Sequence, residues 1–232
     1  MQKMILTVSP EEACRILNED QSLLVRKIKP SKLPCECNIY CSGKESLSLG
    51  VADTRWYPIE SPGRGSSVKT RFRYAYYTKD EDKFYEELEK SMDMCEVVED
   101  EKHFELNGKV VAKFTLNKVE EICWKQDLSN PYVSDNYNLE TDTLKEWELR
   151  NKSCLENEEL EDYLGFDESE FKALGYAWHI DNLVIYDKPK EISEFEHYSN
   201  VFTTCDIRRD RGFKKTLRPL TRAPSTYYYV ED

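Results

Sequence analysis

GYAWHIDNLVIYDKPKEISEF, residues 175–195, is the stretch that decides the fold. Its aromatic and β-branched residues predict one long strand over residues 176–185, after a glycine that can close a helix. The strand is expected to end at Asp187-Lys188-Pro189, because proline cannot donate to a strand ladder. Trp178 and His179 are adjacent, so one faces the core and the other the opposite face of the sheet. The stretch locates a strand but does not by itself indicate a function.

The length of 232 residues fits one domain with large insertions or two small domains. Hydrophobic content of 39% is modest, but 15 tyrosines and 9 phenylalanines can supply much of a core. No apolar run approaches the ~20 residues of a membrane helix, and the N-terminal apolar run is too short for a secretory signal. We therefore expect a soluble cytoplasmic protein without a membrane partner, whose eight cysteines are reduced thiols.

Cys35, Cys37 and Cys41 form a C-x-C-x3-C cluster. Zinc usually takes four ligands, commonly from C-x2-C pairs, so the fourth ligand here would be Cys205 or a histidine. The pattern is more typical of buried strand cysteines that act as small hydrophobic residues. The sequence also lacks a phosphate-binding glycine loop and an H-E-x-x-H motif. We predict no metal site and no cofactor.

The net charge of −12 argues against a protein that coats nucleic acid over its whole surface. The charge is segregated, however, between two acidic and three basic segments. The acidic segments are residues 80–105 and 135–170, and the basic ones are residues 26–32, 64–73 and 208–222. A basic cleft on an acidic protein can bind a polyanion locally. The basic loops can equally serve only to neutralise the acidic helices, and both interpretations remain open.

Strands dominate the predicted order of elements, and helices fall between them. Ser9 is a helix cap before Pro10 at the first helical position, and Asn107-Gly108 predicts a two-residue hairpin turn. The mixed order favours an α+β fold around a small, mostly antiparallel barrel. The predicted strands are residues 4–8, 23–25, 37–41, 50–53, 68–77, 103–106, 109–119, 176–185, 198–205 and 223–230, and the predicted helices are residues 10–18, 80–94, 142–151, 157–164 and 168–174.

Several stretches, in this order and spacing, resemble the ASCH (activating signal cointegrator homology) family, a branch of the PUA-like fold. They cover about half of the chain and are fairly specific together, although each is weak alone. The stretches are MILTVSP (residues 4–10), ACRILNEDQSLLVRK (13–27), GKVVAKF (108–114), GYAWHI with YDKP (175–195) and RAPSTYYYVED (222–232).

The resemblance implies a PUA-like, mostly antiparallel β-barrel flanked by helices. The chain would then be a single domain over residues 1–232, with helical insertions at about residues 44–105 and 125–170. In the family, a cleft beside the first helix and the second strand is thought to receive RNA, a nucleotide or a modified base. Some small members are reported to hydrolyse an acylated cytidine or to cut RNA, with a lysine, a threonine or serine, and a glutamate.

The chain departs from this family pattern at two of the three chemical positions. Gln21 stands at the lysine position and Leu24 at the glutamate position, whereas Ser22 keeps the hydroxyl. Neither Gln21 nor Leu24 can accept a proton, and hydrolysis needs a nucleophile and a group that takes its proton. Ser22 and His179 are the remaining catalytic candidates, and a lone strand histidine is more often structural. Whether the protein is an enzyme stays open.

Binding of nucleic acid, in particular RNA, or of a modified nucleotide is the function that the resemblance and the basic segments favour. Basic side chains would meet phosphate and aromatic rings would stack on bases. The alternatives are a solvated strand end for the basic residues and core packing for the rings. The candidate binding residues are Arg26, Lys27, Lys29, Trp178, Arg222 and Tyr227.

Two other functions remain open. One is an amidohydrolase or ribonuclease that acts on an acylated cytidine or on RNA. The other is a protein-interaction module that has lost catalysis and meets a basic protein partner through its acidic insertions, although acidic runs are usually no more than solvated helix faces. The sequence does not indicate the ligand or the oligomeric state.

Overall fold

The computed structural model describes residues 1–57, 67–94, 96–126, 137–140, 143–165, 172–202 and 213–230. The chain forms two compact units. Unit 1 comprises Met1–Gln2, Glu19–Cys37 and Phe114–Leu183, and unit 2 comprises Lys3–Asn18, Asn38–Lys113 and Val184–Asp232. The predicted insertion at residues 44–105 belongs to unit 2 and the one at 125–170 to unit 1. The single domain with insertions stays a prediction.

The first half of the chain places two helices between strands. Its elements are β1 (Gln2–Val8), α1 (Pro10–Leu17), β2 (Leu23–Arg26), β3 (Cys35–Cys41), β4 (Leu47–Trp56), β5 (Val68–Tyr77), α2 (Asp82–Ser91), β6 (Glu96–Glu105) and β7 (Lys109–Leu116). The predicted cap of α1 is present, since the Ser9 hydroxyl accepts a hydrogen bond from the Glu12 amide at 3.1 Å.

The second half repeats this mixture, which confirms the α+β class. Its elements are β8 (Val119–Gln126), β9 (Tyr137–Glu140), α3 (Glu146–Ser153), α4 (Asn157–Leu164), β10 (Lys172–His179), β11 (Asp181–Glu191), β12 (Glu196–Phe202), β13 (Phe213–Pro219) and β14 (Tyr227–Val230). Gly165 ends α4 in a left-handed conformation with φ of +77°, as its sequence position predicts. The longest described helix, α2, has 10 residues, and no described helix is long and apolar enough to cross a membrane.

The strands form four sheets. Unit 1 holds the sheet β2-β10-β8-β9, and unit 2 holds the sheets β5-β4-β6 and β12-β13. The fourth sheet, β11-β7-β3-β1-β14, has five strands, and most of its residues belong to unit 2. None of these sheets closes on itself among the described residues, so the PUA-like barrel is not confirmed.

Asn107-Gly108 does not close the predicted hairpin. β6 pairs with β4, whereas β7 lies between β11 and β3 in a different sheet. The Asn107 carboxamide accepts a hydrogen bond from the Leu47 amide at 2.7 Å and donates one to the Glu45 carbonyl at 2.6 Å. These bonds tie the turn to the start of β4, and the chain leaves one sheet and enters another. The local turn signal was correct, but tertiary pairing determined the strand partners.

The predicted long strand over residues 176–185 is two strands. β10 ends at His179 and β11 begins at Asp181, and Asn182 has a positive φ of 51°. Pro189 does not end β11, which continues to Glu191. β11 is the edge strand of its sheet, where a missing backbone donor faces no partner strand.

The helix predicted over residues 168–174 is also wrong for the residues of this range that the structure describes. Residues 172–174 belong to β10, and residues 168–171 lie outside the described part of the chain. Gly175 therefore lies inside a strand rather than at a helix end. A Cβ atom there would lie 2.4 Å from a Leu164 methyl carbon and 3.3 Å from the Arg26 carbonyl oxygen. Glycine at this position allows α4 to pack closely on the sheet.

Each unit has its own hydrophobic core. In unit 1, leucines of α3 and α4 cover the sheet, and the core comprises Leu23, Val25, Ile122, Leu144, Leu149, Leu160, Leu164 and Ala177. In unit 2, the Phe84 and Leu88 side chains pack α2 against the sheet β5-β4-β6. Gly50 makes room for this contact, because a Cβ atom there would lie 2.2 Å from the Phe84 ring.

Phe84→Ala is expected to lower the free energy of unfolding by about 3–5 kcal/mol, because it removes a fully buried ring and leaves a cavity beneath α2. Tyr85→Ala is the matched control, since Tyr85 is the next residue of the same helix and is 41% exposed. Its cost should stay near 1 kcal/mol or below. Urea unfolding followed by circular dichroism measures both, and equal costs would show that Phe84 does not anchor α2.

Candidate functional site

A buried carboxylate lies at the centre of a polar cluster in unit 1. The Glu120 side chain is 4% exposed, and one of its oxygens, Oε1, lies 2.7 Å from Lys118 Nζ and 2.7 Å from His179 Nε2. The other oxygen accepts a hydrogen bond from the Thr143 hydroxyl, which in turn accepts one from Lys118 Nζ at 2.9 Å. We call Lys118, Glu120, Thr143 and His179 the Glu120 cluster.

Strand pairing brings this cluster together. β8 and β10 are antiparallel, with Glu120 opposite Ala177, and the His179 amide donates to the Lys118 carbonyl at 3.1 Å. Side chains two residues apart on a strand share a face, so Lys118, Glu120 and His179 all project to the same side. Thr143 reaches Glu120 from the segment that precedes α3.

The cluster keeps Glu120 ionised. Burial would raise the pKa of this carboxyl, but the hydrogen bonds from Lys118, Thr143 and His179 outweigh burial and lower it to about 2. An ionised carboxylate only accepts hydrogen bonds, so His179 Nε2 carries a proton and Nδ1 is the basic nitrogen of the neutral ring. Glu120 thus fixes both the orientation and the tautomer of His179.

The two catalytic candidates from the sequence are neighbours in this unit. Leu23 of β2 lies opposite His179 of β10, and the Ile180 amide donates to the Ser22 carbonyl at 3.0 Å. Ser22 is exposed, and its contacts with Ile180 and with the Lys152 carbonyl are made by its backbone. The partner that His179 lacked in the sequence is Glu120.

Gln21 and Leu24, which stand at the positions of the family's lysine and glutamate, are both buried. Leu24 is 0% exposed and Gln21 is 4% exposed. The Gln21 amide donates to the Leu23 carbonyl at 2.8 Å, and its Oε1 has no hydrogen-bond partner among the described residues. These two side chains support the start of β2 and do not reach solvent.

Two of the predicted binding residues, Lys27 and Lys29, each lie near a tyrosine ring just after the end of β2. Lys27 Nζ lies 5.9 Å from the ring centre of Tyr163 on α4, and Lys29 Nζ lies 5.5 Å from that of Tyr176 on β10. Both lysines are exposed, and Tyr163 is 40% exposed. We call these four residues the lysine–tyrosine face.

Arg26 and Trp178, two further predicted binding residues, are buried beside this face. Arg26 is 6% exposed and donates from its guanidinium to the Val25 carbonyl at 2.8 Å. Trp178 is fully buried, and its indole nitrogen donates to the Ile28 carbonyl at 3.2 Å. A fully buried ring has no face open to a base. Trp178 instead holds the backbone between Lys27 and Lys29.

Arg222 and Tyr227, the last two predicted binding residues, belong to unit 2. Arg222 is exposed and lines a cavity of about 570 Å³. Tyr227 begins β14 and is half-buried, with its ring edge-to-face against that of Tyr229 at 5.8 Å between centres.

Sequence reasoning missed Lys118, Glu120, Thr143, Tyr163 and Tyr176. The alternation of Lys118 and Glu120 on β8 is visible in the sequence, but their meeting with His179 depends on the pairing of β8 with β10. Thr143 is 23 residues from Glu120 in the sequence. Tyr163 is 136 residues from Lys27, and Tyr176 is 147 residues from Lys29. No local pattern joins such pairs.

Within the described residues, no group of three or more histidine, cysteine, aspartate or glutamate side chains is placed to hold a metal ion. Cys35 and Cys37 are buried with their sulfur atoms 4.0 Å apart, and the Cys35 contact together with burial raises the pKa of the Cys37 thiol. Cys41 is also buried. Cys205, the proposed fourth ligand, lies outside the described residues.

The chain matches no family model, no curated protein and no solved structure.

Glu120→Gln is expected to remove part of the acid sensitivity of the fold. The carboxyl pKa is about 2 in the folded chain and 4.5 ordinarily, so its stabilisation is complete above pH 4.5 and is lost as the pH falls toward 2. The shift corresponds to a contribution on the order of 3 kcal/mol. Urea unfolding at pH 6 and pH 3 should show a smaller loss for the variant than for the wild type.

Glu121→Gln is the control for this experiment, because Glu121 is exposed and projects to the opposite side of β8. It should keep the wild-type pH dependence. The same pH dependence in Glu120→Gln would contradict a hydrogen-bonded, permanently ionised Glu120.

Proposed function

We propose that unit 1 binds a short single-stranded RNA or a modified nucleotide through the lysine–tyrosine face. The observation that carries the proposal is the pairing of two exposed lysines with two tyrosine rings at one strand end. The resemblance to the ASCH family supports it, since Lys27 belongs to the basic positions that this chain shares with the family.

The chemistry of the face suits such a ligand. Ammonium groups attract phosphate, and an exposed aromatic ring can stack on a base of any identity. The hydrogen bond from Trp178 to the Ile28 carbonyl fixes the backbone that carries both lysines. A surface ordered before binding loses less conformational entropy when the ligand binds.

The surrounding charge limits the length of the ligand. α4, which carries Tyr163, also carries Glu158, Glu159, Glu161 and Asp162, and the whole chain has a net charge of −12. Acidic side chains repel phosphates that extend past the two lysines, within a Debye length of about 10 Å at 0.1 M salt. The face therefore suits a nucleotide or a few linked nucleotides better than a long strand.

Lys27→Gln together with Lys29→Gln should weaken binding of short fluorescent RNAs and flatten its salt dependence. Each phosphate contact contributes about −0.7 to the slope of log K against log salt for single strands, so the double variant should lose about 1.4. Fluorescence anisotropy between low and physiological salt measures this slope.

Lys83→Gln is the matched control, because Lys83 is an exposed lysine on α2 of unit 2. The slope of log K against log salt for this variant should equal that of the wild type. Absence of salt-dependent binding by the wild type to any of a pool of short RNAs would refute the proposal.

Hydrolysis of an acylated cytidine or of RNA is a second candidate function, favoured by the hydrogen bond between His179 and Glu120. A buried carboxylate that orients a histidine next to a hydroxyl is the arrangement by which hydrolases activate a serine. On an acylated cytidine, the Ser22 oxygen would attack the acyl carbonyl while His179 takes the hydroxyl proton. His179 would return this proton to the leaving amine, and water would then release the acid and restore Ser22.

Ser22→Ala and His179→Gln should each lower turnover of N4-acylcytidine at least 100-fold if unit 1 is such a hydrolase, which is the lower range for a general acid–base group. His103→Gln is the control, because His103 also pairs with a glutamate, Glu101, at 2.6 Å, but lies in unit 2. Liquid chromatography of released cytidine measures the rate. Inactivity of the wild type across acyl chain lengths would exclude this function and leave the binding proposal in place.

A further inference from the structure

Unit 2 contains a cavity that the lysine–tyrosine face and the Glu120 cluster do not use. Its volume is about 570 Å³, and it lies between the start of β12, the segment that follows β13, and β14. Its polar lining comes from His197, Thr221, Arg222, Ser225 and Tyr228. A volume of this size is within the range of about 300–1,000 Å³ that small-molecule sites occupy.

The wall of this cavity is held in place by hydrogen bonds at both ends. The Leu220 amide donates to the Phe195 carbonyl at 2.8 Å, and the Leu220 side chain is 5% exposed in the core formed with Ile5 and Val230. Farther along, the Thr7 hydroxyl donates to the Pro224 carbonyl at 2.6 Å. The intervening residues are therefore anchored on both sides, and the cavity is formed without a ligand.

The lining attracts anions. Within the described residues, no acidic side chain lines the cavity, although the chain as a whole carries a net charge of −12. Arg222 lines the cavity and carries a positive charge, and Thr221 and Ser225, which also line it, each have a hydroxyl that can donate a hydrogen bond. Arginine binds phosphate oxygens with two parallel hydrogen bonds, which favours phosphate over halide or other simple anions.

A ring nitrogen of His197 lacks a hydrogen-bond partner within the described part of the chain. Its Nδ1 is buried and has no hydrogen-bond partner among the residues that the structure describes. A buried ring nitrogen without a partner is costly unless water or a ligand satisfies it. His197 is also one of the residues that line the cavity.

Tyr228 gives the cavity an aromatic wall. The tyrosine is 45% exposed, and the His197 ring stands edge-on to it, with 5.2 Å between ring centres. The edge contact fixes the tyrosine ring, and its exposed surface can stack on a planar group.

We propose that this cavity binds a phosphomonoester attached to a planar ring, a ligand of the size of a mononucleotide. The phosphate contacts Arg222 and the hydroxyls of Thr221 and Ser225, and the ring stacks on Tyr228. The site is separate from the lysine–tyrosine face, because none of its residues belongs to unit 1. A free 5′-nucleotide and the terminal nucleotide of an RNA both offer this chemistry.

Isothermal titration of the full chain with AMP, adenosine and inorganic phosphate tests the proposal. AMP should bind more tightly than either fragment, because only AMP fills both the phosphate and the ring positions. Equal affinity for AMP and adenosine would overturn the phosphate contact, and equal affinity for AMP and inorganic phosphate would overturn the ring contact. A 5′-phosphorylated dinucleotide that binds as AMP does would identify an RNA end as an acceptable source of the ligand.

Arg222→Gln should weaken AMP binding at least about tenfold, the loss expected for one charged hydrogen bond. Tyr228→Leu should weaken the binding of AMP but not that of inorganic phosphate. Arg218→Gln is the control, since Arg218 is exposed on β13 opposite His197 and does not line the cavity. Its effect should stay within about threefold, as for a screened surface charge. An equal effect of the two arginine substitutions would overturn the assignment of Arg222.

These measurements are independent of the function proposed for unit 1. In the double variant Lys27→Gln with Lys29→Gln, AMP should still bind, and adding Arg222→Gln should still weaken that binding about tenfold. Arg222→Gln alone should leave the salt slope of the lysine–tyrosine face unchanged. Loss of AMP binding in the double lysine variant would show that the nucleotide binds in unit 1 and not in this cavity.

Discussion

The pairing of β10 with two neighbours is the constraint on which unit 1 depends. β10 lies between β2 and β8, so its backbone is hydrogen-bonded on both sides and its side chains meet those of both strands. On the β8 side this pairing places His179 next to Glu120. On the β2 side it places His179 opposite Leu23, beside Ser22, and buries Trp178 where its indole holds the end of β2. One strand therefore determines the geometry of the Glu120 cluster and the position of the lysine–tyrosine face.

Much of the fold could be predicted from local signals, and the failures share one cause. The Ser9 cap, the limits of β5, and the Gly165 stop of α4 each depend on residues close in sequence, and each was correct. Asn107-Gly108 was also correctly predicted to form a turn, but the two strands that flank it pair with other strands and not with each other. The break at Ile180 was missed because residues on both sides of it favour strand, and only the separation of β10 and β11 into different sheets reveals it. Strand partners at long sequence separation are chosen by packing, which local preference does not encode.

The same limit applies to the candidate sites. The sequence indicated Lys27, Lys29, Ser22 and His179, because residue type alone suggests a role for each. It could not indicate Glu120, whose importance lies in its burial and in three partners that come from β8, β10 and the segment before α3. The acidic helices show the opposite case. Their charge suggested a partner surface, and the structure shows in addition that Leu149, Leu160 and Leu164 pack α3 and α4 on the sheet, which accounts for the apolar side of α4.

The burial of Gln21 and Leu24 limits which side chains these two positions can hold. If both side chains were exposed, their exchange for a lysine and a glutamate would restore charged groups at a surface. At 4% and 0% exposure, the same charges would be removed from water, at a cost that side chains without partners do not recover. The charged pair beside His179 is instead Lys118, which precedes β8, and Glu120 on β8. The proton-accepting groups at this end of the sheet therefore come from β8 and β10, and the positions of Gln21 and Leu24 contribute none.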